Sequence, residues 1–257
     1  MDLGIAGKAA FVAASTGGLG LAVARALAAE GVRVAITGRR RELAEQVAAS
    51  LPGAVAIAVD LHEPEALVEA VNRAEEDLGP IEIAVLNGPG PRPGAAAALS
   101  PEDLASTFDL LVRPHHALVS RVLPGMRQRR WGRILAVGSS GVVAPLPNLA
   151  MSNTGRAALA GYLKTLAAEV ALDAVTVNLL LPGRIATDRV AELDAAAAKR
   201  RGISIDEVQL DSRKTIPARR YGTPEEFGAA AAFLCSSPAS YITGVALRCD
   251  GGLIRSL

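Results

Sequence analysis

Residues 15–20 of this chain, Ser-Thr-Gly-Gly-Leu-Gly, are small enough to let backbone N–H groups close on a ligand. They stand between an apolar run, Ala9 to Ala14, and an alanine-rich stretch, Leu21 to Glu30, that ends at Gly31. The free amides at a helix start carry about half a unit of positive charge, so a strand, a glycine turn and a helix in this order suit a pyrophosphate. Taken alone, the turn fits a phosphate cradle and a plain strand-to-helix connection equally well. The G-x-G-x-x-G fingerprint is incomplete, because Val23 stands where its third small residue belongs after Gly18 and Gly20.

The next stretch favours the cradle. A second apolar run, Val32 to Ile36, passes through Thr37 into Gly38-Arg39-Arg40-Arg41, about 20 residues after the turn. In a dinucleotide fold this is where the adenosine ribose is read: an acid favours a free 2′-hydroxyl, and an arginine accommodates a 2′-phosphate. No acid stands here. Three cations just before the helix expected over Glu42 to Ser50 oppose its dipole, a cost that a bound anion offsets. Arg39 and Arg40 therefore point to NADP(H).

The elements that must position these residues follow in the same rhythm. Ala54 to Val59 reads as a buried strand ending at Asp60, Glu63 to Leu78 as a helix, and Ile81 to Leu86 as a fourth strand entering a Pro/Gly-rich loop, Asn87 to Gly94. Ser100-Pro101-Glu102-Asp103 is a helix start, and that helix is expected to reach about Arg129, bent near Pro114 and broken at Pro124. Further strands are expected over Arg133 to Val137, Val175 to Leu181 and Val245 to Arg248, with helices over Asn153 to Val170 and from Thr223 to Leu234. Apolar strands alternating with helices predict an α/β fold, a doubly wound parallel sheet with helices on both faces. The polar, weakly patterned region 188–218 reads as an insertion that closes over the ligand crevice as a substrate lid.

At 257 residues and 50% hydrophobic, the chain has material for one large core and is expected to form a single domain. A formal charge of +1 gives no field that recruits nucleic acid or a membrane surface, so neither is expected as a partner. No apolar stretch reaches the roughly 18 residues of a membrane span. Cys235 and Cys249 lack metal spacing, and no metal is expected. With no signal-peptide pattern at its start, the chain reads as a cytoplasmic protein with reduced thiols.

Taken together, the turn at Ala13 to Gly20, Asp60, Asn87, Gly132-Arg133-Ile134, Ser139, Pro182-Gly183 with Thr187, and Asp250-Gly251-Gly252 resemble the short-chain dehydrogenase/reductase family over essentially the whole length. The likeness is strongest to a divergent branch of 3-oxoacyl-carrier-protein reductases. The resemblance implies a Rossmann-like fold. It also implies cofactor contacts at Ser15, Thr16, Gly18, Leu19 and Gly20 in the turn, at Arg39, Arg40, Asp60 and Leu61, at Asn87 and Gly88, and at Pro182, Gly183 and Ile185. Relatives pair their long helices into dimers of dimers, and the small and apolar residues of 100–129 and 153–170 exceed what one buried stripe needs, so a homotetramer is expected.

The departures fall on the reaction centre. Relatives carry a serine, a Tyr-x-x-x-Lys pair starting 13 residues later, and an asparagine in the preceding helix. Counting from Ser139 puts Ser152 at the tyrosine and Arg156 at the lysine, and Leu111 falls at the asparagine. The family's first turn glycine is Ala14, and its N-N-A-G is Leu86-Asn87-Gly88-Pro89. A phenol with a pKa near 10 can be tuned toward working pH, whereas a serine hydroxyl is too weak an acid and arginine stays charged. Ser139, Ser152 and Arg156 are thus expected to polarise a carbonyl, with water as the proton source. His115 and His116, on the helix near the crevice, are a second candidate acid. Three functions stay open: an NADP(H)-dependent carbonyl reductase, a non-redox lyase, isomerase or decarboxylase that holds an acid with Arg156, and a nucleotide-binding protein without turnover.

Overall fold

The computed structural model of the protein describes residues 1–256. Seven strands, β1 (Ala9–Val12), β2 (Arg33–Gly38), β3 (Val55–Ala58), β4 (Ile81–Leu86), β5 (Gly132–Val137), β6 (Val175–Pro182) and β7 (Ala246–Cys249), form one sheet in the order β3-β2-β1-β4-β5-β6-β7. Every neighbouring pair is parallel. The helices are α1 (Gly18–Ala29), α2 (Arg41–Ala49), α3 (Pro64–Leu78), α4 (Pro101–Leu111), α5 (Arg113–Arg129), α6 (Ala150–Val170), α7 (Asp188–Arg201), α8 (Ile205–Thr215) and α9 (Pro224–Leu234).

The apolar runs become strands because both faces of the sheet are covered, as parallel sheets require. Side chains alternate between two cores. Phe11, Ala84, Ile134 and Val177 face α3, α5 and α6, while Val12, Val85, Leu135 and Leu180 face α1, α2 and α9. Burying a side chain such as Phe11 or Leu27, both fully enclosed, contributes about 1.5–3 kcal/mol, and the two layers together fix the register of the central strands.

Local signals set several ends. Ser100 and Thr223 start α4 and α9 with reciprocal capping boxes to Asp103 and Glu226. Elsewhere tertiary contacts overrule the sequence pattern. The helix expected over 100–129 is two, parted at Val112, and Pro114 sits in the first turn of α5, where a missing N–H costs nothing. Pro124 does not break α5. It lies on the exposed face, and the carbonyl it leaves unpaired belongs to exposed Ser120, within reach of solvent. α6 starts at Ala150, three residues earlier than expected, because Asn153 clasps both the N–H and the C=O of Leu146 and Gly94 accepts from the Ala150 amide. The region 188–218 is not irregular but holds α7 and α8, the latter begun by a Ser204–Glu207 capping box. Between them these two helices bury only Asp194, Ala198 and Val208, so they leave no apolar stripe to read.

Ala14 is one of five non-glycine residues with a left-handed backbone, and the one in the turn after β1. Its φ of 48° is left-handed, a region where a Cβ costs about 1–2 kcal/mol. The conformation persists because both its backbone groups are held: its amide donates to Thr37 Oγ1 at 3.0 Å and its carbonyl accepts from Asn87 Nδ2 at 3.1 Å. Ala14→Gly removes the steric cost but adds about 0.5–1 kcal/mol of unfolded-chain entropy. The expected net gain is roughly 0.5–1 kcal/mol, or about 1–4 °C in the thermal midpoint. A lower midpoint for the variant in thermal denaturation would show that Ala14 is not strained.

Candidate functional site

In this sheet the chain order reverses at β1, which has β2 on one side and β4 on the other. Open α/β sheets form a crevice beyond the carboxyl ends of the strands at such a switch point. Here the crevice holds about 1220 Å³, enough for a dinucleotide with a small second molecule, and its walls are the loops after β1, β2, β4, β5 and β6 together with α7.

At the β1–β2 end an uncapped helix start and two arginines favour an anion. α1 begins at Gly18 with no side-chain cap and no acid in its first turn, so its amide ends are not neutralised by the protein. A Cβ at Gly17 or Gly18 would meet nothing within 4 Å, so the backbone itself forms that wall. Thr16 and Leu19 line the same space. Arg39 and Arg40 line it from the end of β2, and a Cβ at Gly38 would stand 2.7 Å from Thr16 Cγ2, which excludes an acid there. Across the crevice Asp60 is held by His62, whose backbone amide and Nδ1 lie 3.1 and 2.7 Å from its Oδ1. That backbone bond is the largest cause holding the Asp60 carboxyl below its usual range. Leu61, Asn87, Gly88, Pro182, Gly183 and Ile185 also face the crevice.

Two of the residues expected at the cofactor stand behind it instead. Ser15 is fully buried: its hydroxyl donates to Val12 O and accepts from the Thr37 amide, so its side chain ties β1 to β2. Gly20 is packed where a Cβ would come within 2.4 Å of Ala14 O and 2.6 Å of Asn87 Nδ2, so its smallness serves the fit of α1 on the turn.

At the β5 end the structure brings Ser139, Ser152 and Arg156 to one wall. Ser139 accepts from the Gly141 amide at 3.1 Å, which leaves its O–H free to donate. Ser152 is not a helix cap, since α6 begins at Ala150 and the cap position is Leu149. It lies one turn from Arg156 on the same helix face. Arg156 Nη1 donates to Val137 O at 2.8 Å and Gly138 O at 3.2 Å. Burial first, then the nearby Arg189 charge, lower its pKa to about 10, which still leaves it protonated at neutral pH. No carboxylate among the described residues offsets that charge.

His115 does not serve as an acid here. Burial, with a smaller push from Arg156, lowers its pKa to about 4, so the imidazole is neutral near pH 7 and has no proton of suitable strength. His116 is exposed and stacks at a tilt on Tyr162, ring centres 5.5 Å apart. Leu111 is buried against Gly155 of α6, where an added Cβ would come within 2.7 Å of its Cδ1. The position expected to carry the asparagine is therefore a helix–helix contact.

Residues of the β6–α7 segment complete the site without having been singled out in the sequence. Arg189, in the first turn of α7, lines the crevice and reaches Pro91 O in the loop after β4 at 3.4 Å. Arg200 lines it from the far end of α7. Asp194 is fully buried and fastens α7 in place, accepting from Arg184 Nη1 at 2.7 Å and Tyr221 OH at 2.9 Å. The only sequence signal was the run of arginines in a stretch without apolar pattern.

Comparisons with known proteins agree with the fold. The family model described as Enoyl-(Acyl carrier protein) reductase matches residues 13–254. The chain is 33% identical over 255 residues to Dehydrogenase/reductase SDR family member 4 of Homo sapiens, covering 96% of this chain and 88% of that one. It is 30% identical over 256 residues to NADPH-dependent reductase BacG of Bacillus subtilis (strain 168), covering 97% and 99%. The crystal structure of L-sorbose reductase from Gluconobacter frateurii, complexed with NADPH and L-sorbose, matches with a TM-score of 0.93 at 32% identity over the whole of both chains.

Proposed function

This chain belongs to the short-chain dehydrogenase/reductase family, and from that premise we propose that it is an NADP(H)-dependent reductase of a small or 3-oxoacyl-like carbonyl substrate with an altered proton-delivery site. The observation that carries the proposal is the single crevice, with an uncapped helix start and Arg39–Arg40 at one end and Ser139, Ser152 and Arg156 at the other. The NADPH named for the Bacillus subtilis and Gluconobacter frateurii proteins supports the choice of cofactor.

In this reading the α1 amides hold the pyrophosphate and Arg39 and Arg40 the 2′-phosphate, with Asp60, Leu61, Asn87 and Gly88 flanking the nucleotide and Pro182, Gly183 and Ile185 backing its far end. Bound NADPH supplies the hydride that goes to the carbonyl carbon. As that bond forms, the C=O π pair moves to oxygen. Ser139 and Ser152 donate hydrogen bonds to this oxygen, and the Arg156 charge stabilises its developing negative charge in a partly desolvated wall. The proton comes from water, since serine is too weak an acid, Arg156 keeps its proton and His115 is neutral. The chain works as one domain, with 188–218 as the lid over the substrate.

Purified protein should oxidise NADPH with some member of a panel of ketones and 3-oxoacyl thioesters, and no turnover across the panel would refute the reductase assignment. Arg39→Ala should narrow the preference for NADP(H) over NAD(H). One charge-assisted contact is worth about 1.5–3 kcal/mol, roughly ten- to a hundredfold in affinity. Equal calorimetric binding of both nucleotides by the unaltered protein would sink the cofactor assignment.

If proton delivery limits the rate, Ser152→Tyr combined with Arg156→Lys should raise reduction of one activated ketone. General acid catalysis contributes about 10²- to 10⁴-fold, and Leu111 in the asparagine's place withholds part of it. The single changes should do less, because a tyrosine without its lysine keeps a high pKa. A double variant slower than the unaltered protein would count against this mechanism and in favour of non-redox chemistry.

The assembly we propose is a homotetramer. Leu104 and Phe108, about one turn apart on α4, are 42% and 43% exposed and give that helix an apolar face for a second chain. Light scattering at micromolar concentration should give four chains, and a monomer would exclude it.

A further inference from the structure

The cofactor anions account for the cations at one end of the crevice only. Arg39 and Arg40 follow β2, whereas Arg156 is held on the end of β5, three strand spacings away, or about 14 Å. A second group of positive charge therefore gathers around Arg156. Its Nη1 is fixed on Val137 O and Gly138 O. Arg189 comes toward it from the first turn of α7, with Nη2 3.4 Å from Pro91 O and 3.5 Å from where a Gly90 Cβ would lie. Both guanidinium groups line the same crevice.

Two features make this pair costly unless an anion joins it. Arg189 stands at the N-terminal end of α7, where a cation opposes the helix dipole, and Thr187 at the cap position makes no side-chain bond there. The acids near it are Asp188, beside it in the first turn of α7, and Glu192, 3.4 Å away and mostly solvated, a weak partner. Arg156 has no acid at all, and like-charge proximity to Arg189 adds to its burial penalty. The planar forks of two arginines match a carboxylate, which takes two donors on each oxygen. Pro91, Leu146, Leu149, Val190 and Leu193 make one part of the wall around them apolar, beside the polar Asn148, Glu192 and Arg200.

We propose that Arg156 and Arg189 clamp a carboxylate, so that the substrate is an oxo acid with an apolar remainder. Its carbonyl faces Ser139 and Ser152, one helical turn from the clamp. The inference rests on the reductase assignment for the carbonyl and on the two arginines for the acid. The reaction balances as oxo acid, NADPH and one proton giving hydroxy acid and NADP⁺.

The test pairs phenylpyruvate, 3-oxobutanoate and 4-oxopentanoate each with its methyl ester, which keeps the ketone and removes the charge. NADPH oxidation should favour at least one acid over its ester by tenfold or more in kcat/KM, and calorimetry on NADP⁺-loaded protein should give the same order. Arg189→Met, which keeps the side-chain stem, should lower kcat/KM for that acid by about ten- to a hundredfold, the worth of one charge-assisted contact, and lower that for the ester by a much smaller factor. Arg189→Lys should recover part of the loss, and unchanged NADPH affinity in both variants certifies the fold. Esters reduced as well as acids, or acid and ester weakened alike by Arg189→Met, would overturn the clamp and leave the reductase assignment standing. Acids that bind but are not reduced would do the reverse. Acids that neither bind nor react would overturn the clamp.

Discussion

The backbone of the turn after β1 is held from two sides by side chains that are not its own. Thr37 Oγ1 accepts from the Ala14 amide and donates to Val12 O, and Asn87 Nδ2 donates to the carbonyls of Ala13 and Ala14 at 3.2 and 3.1 Å. Ser15 closes the set, bonded to Val12 O and to the amide of Thr37. Thus β1, β2 and β4 meet at one knot of hydrogen bonds, all at least partly shielded from water. Each bond contributes about 0.5–1.5 kcal/mol, yet leaving any one donor buried and unpaired would cost more than that. The knot is what can hold an alanine left-handed, and it aims the start of α1 into the crevice.

From that knot the charges of the site are laid out along the strand ends. Arginines at 39, 40, 156, 184, 189 and 200 line the crevice against two acids, Asp60 and Glu192. Only Arg184 is matched by a buried carboxylate, and its partner Asp194 serves the packing of α7 rather than the crevice. The chain's charge is nearly balanced overall, so the positive crevice is a local arrangement offset by an excess of acids elsewhere. Net charge gave no guide to this local arrangement.

What the sequence disclosed is what depends on near neighbours. The glycine turn, Arg39–Arg40 and the caps at Ser100 and Thr223 are local features, and they sit where their spacing put them. Ser15 was misjudged because its hydroxyl is claimed by Thr37, 22 residues on, across a strand pairing. Pro124 was misjudged because its effect depends on which face of α5 meets water. The histidines could not be told apart by type. His115 and His116 are adjacent, yet one is buried beside Arg156 with its pKa near 4 and the other is exposed. α7 and α8 escaped notice because helices that bury so little carry no 3.6-residue signal, although α7 forms a wall of the site.

In the proposed reading Ser152 and Arg156 stand where relatives carry a Tyr–Lys pair, which would change the kind of help the wall can give. A lysine can lower a phenol's pKa and pass a proton on, whereas a guanidinium does neither and offers a fixed charge. Fixing that charge on Val137 O and Gly138 O keeps it aimed without reorganisation, the condition under which electrostatic stabilisation is most effective. A serine where relatives carry tyrosine would take a ring out of the wall and leave space for the water that delivers the proton in the proposed mechanism. The same space and the same charge admit a carboxylate next to the carbonyl. In the proposed reading, loss of the proton relay and gain of an anion site would be two results of one pair of substitutions, and a site altered in this way would suit a substrate that brings its own negative charge.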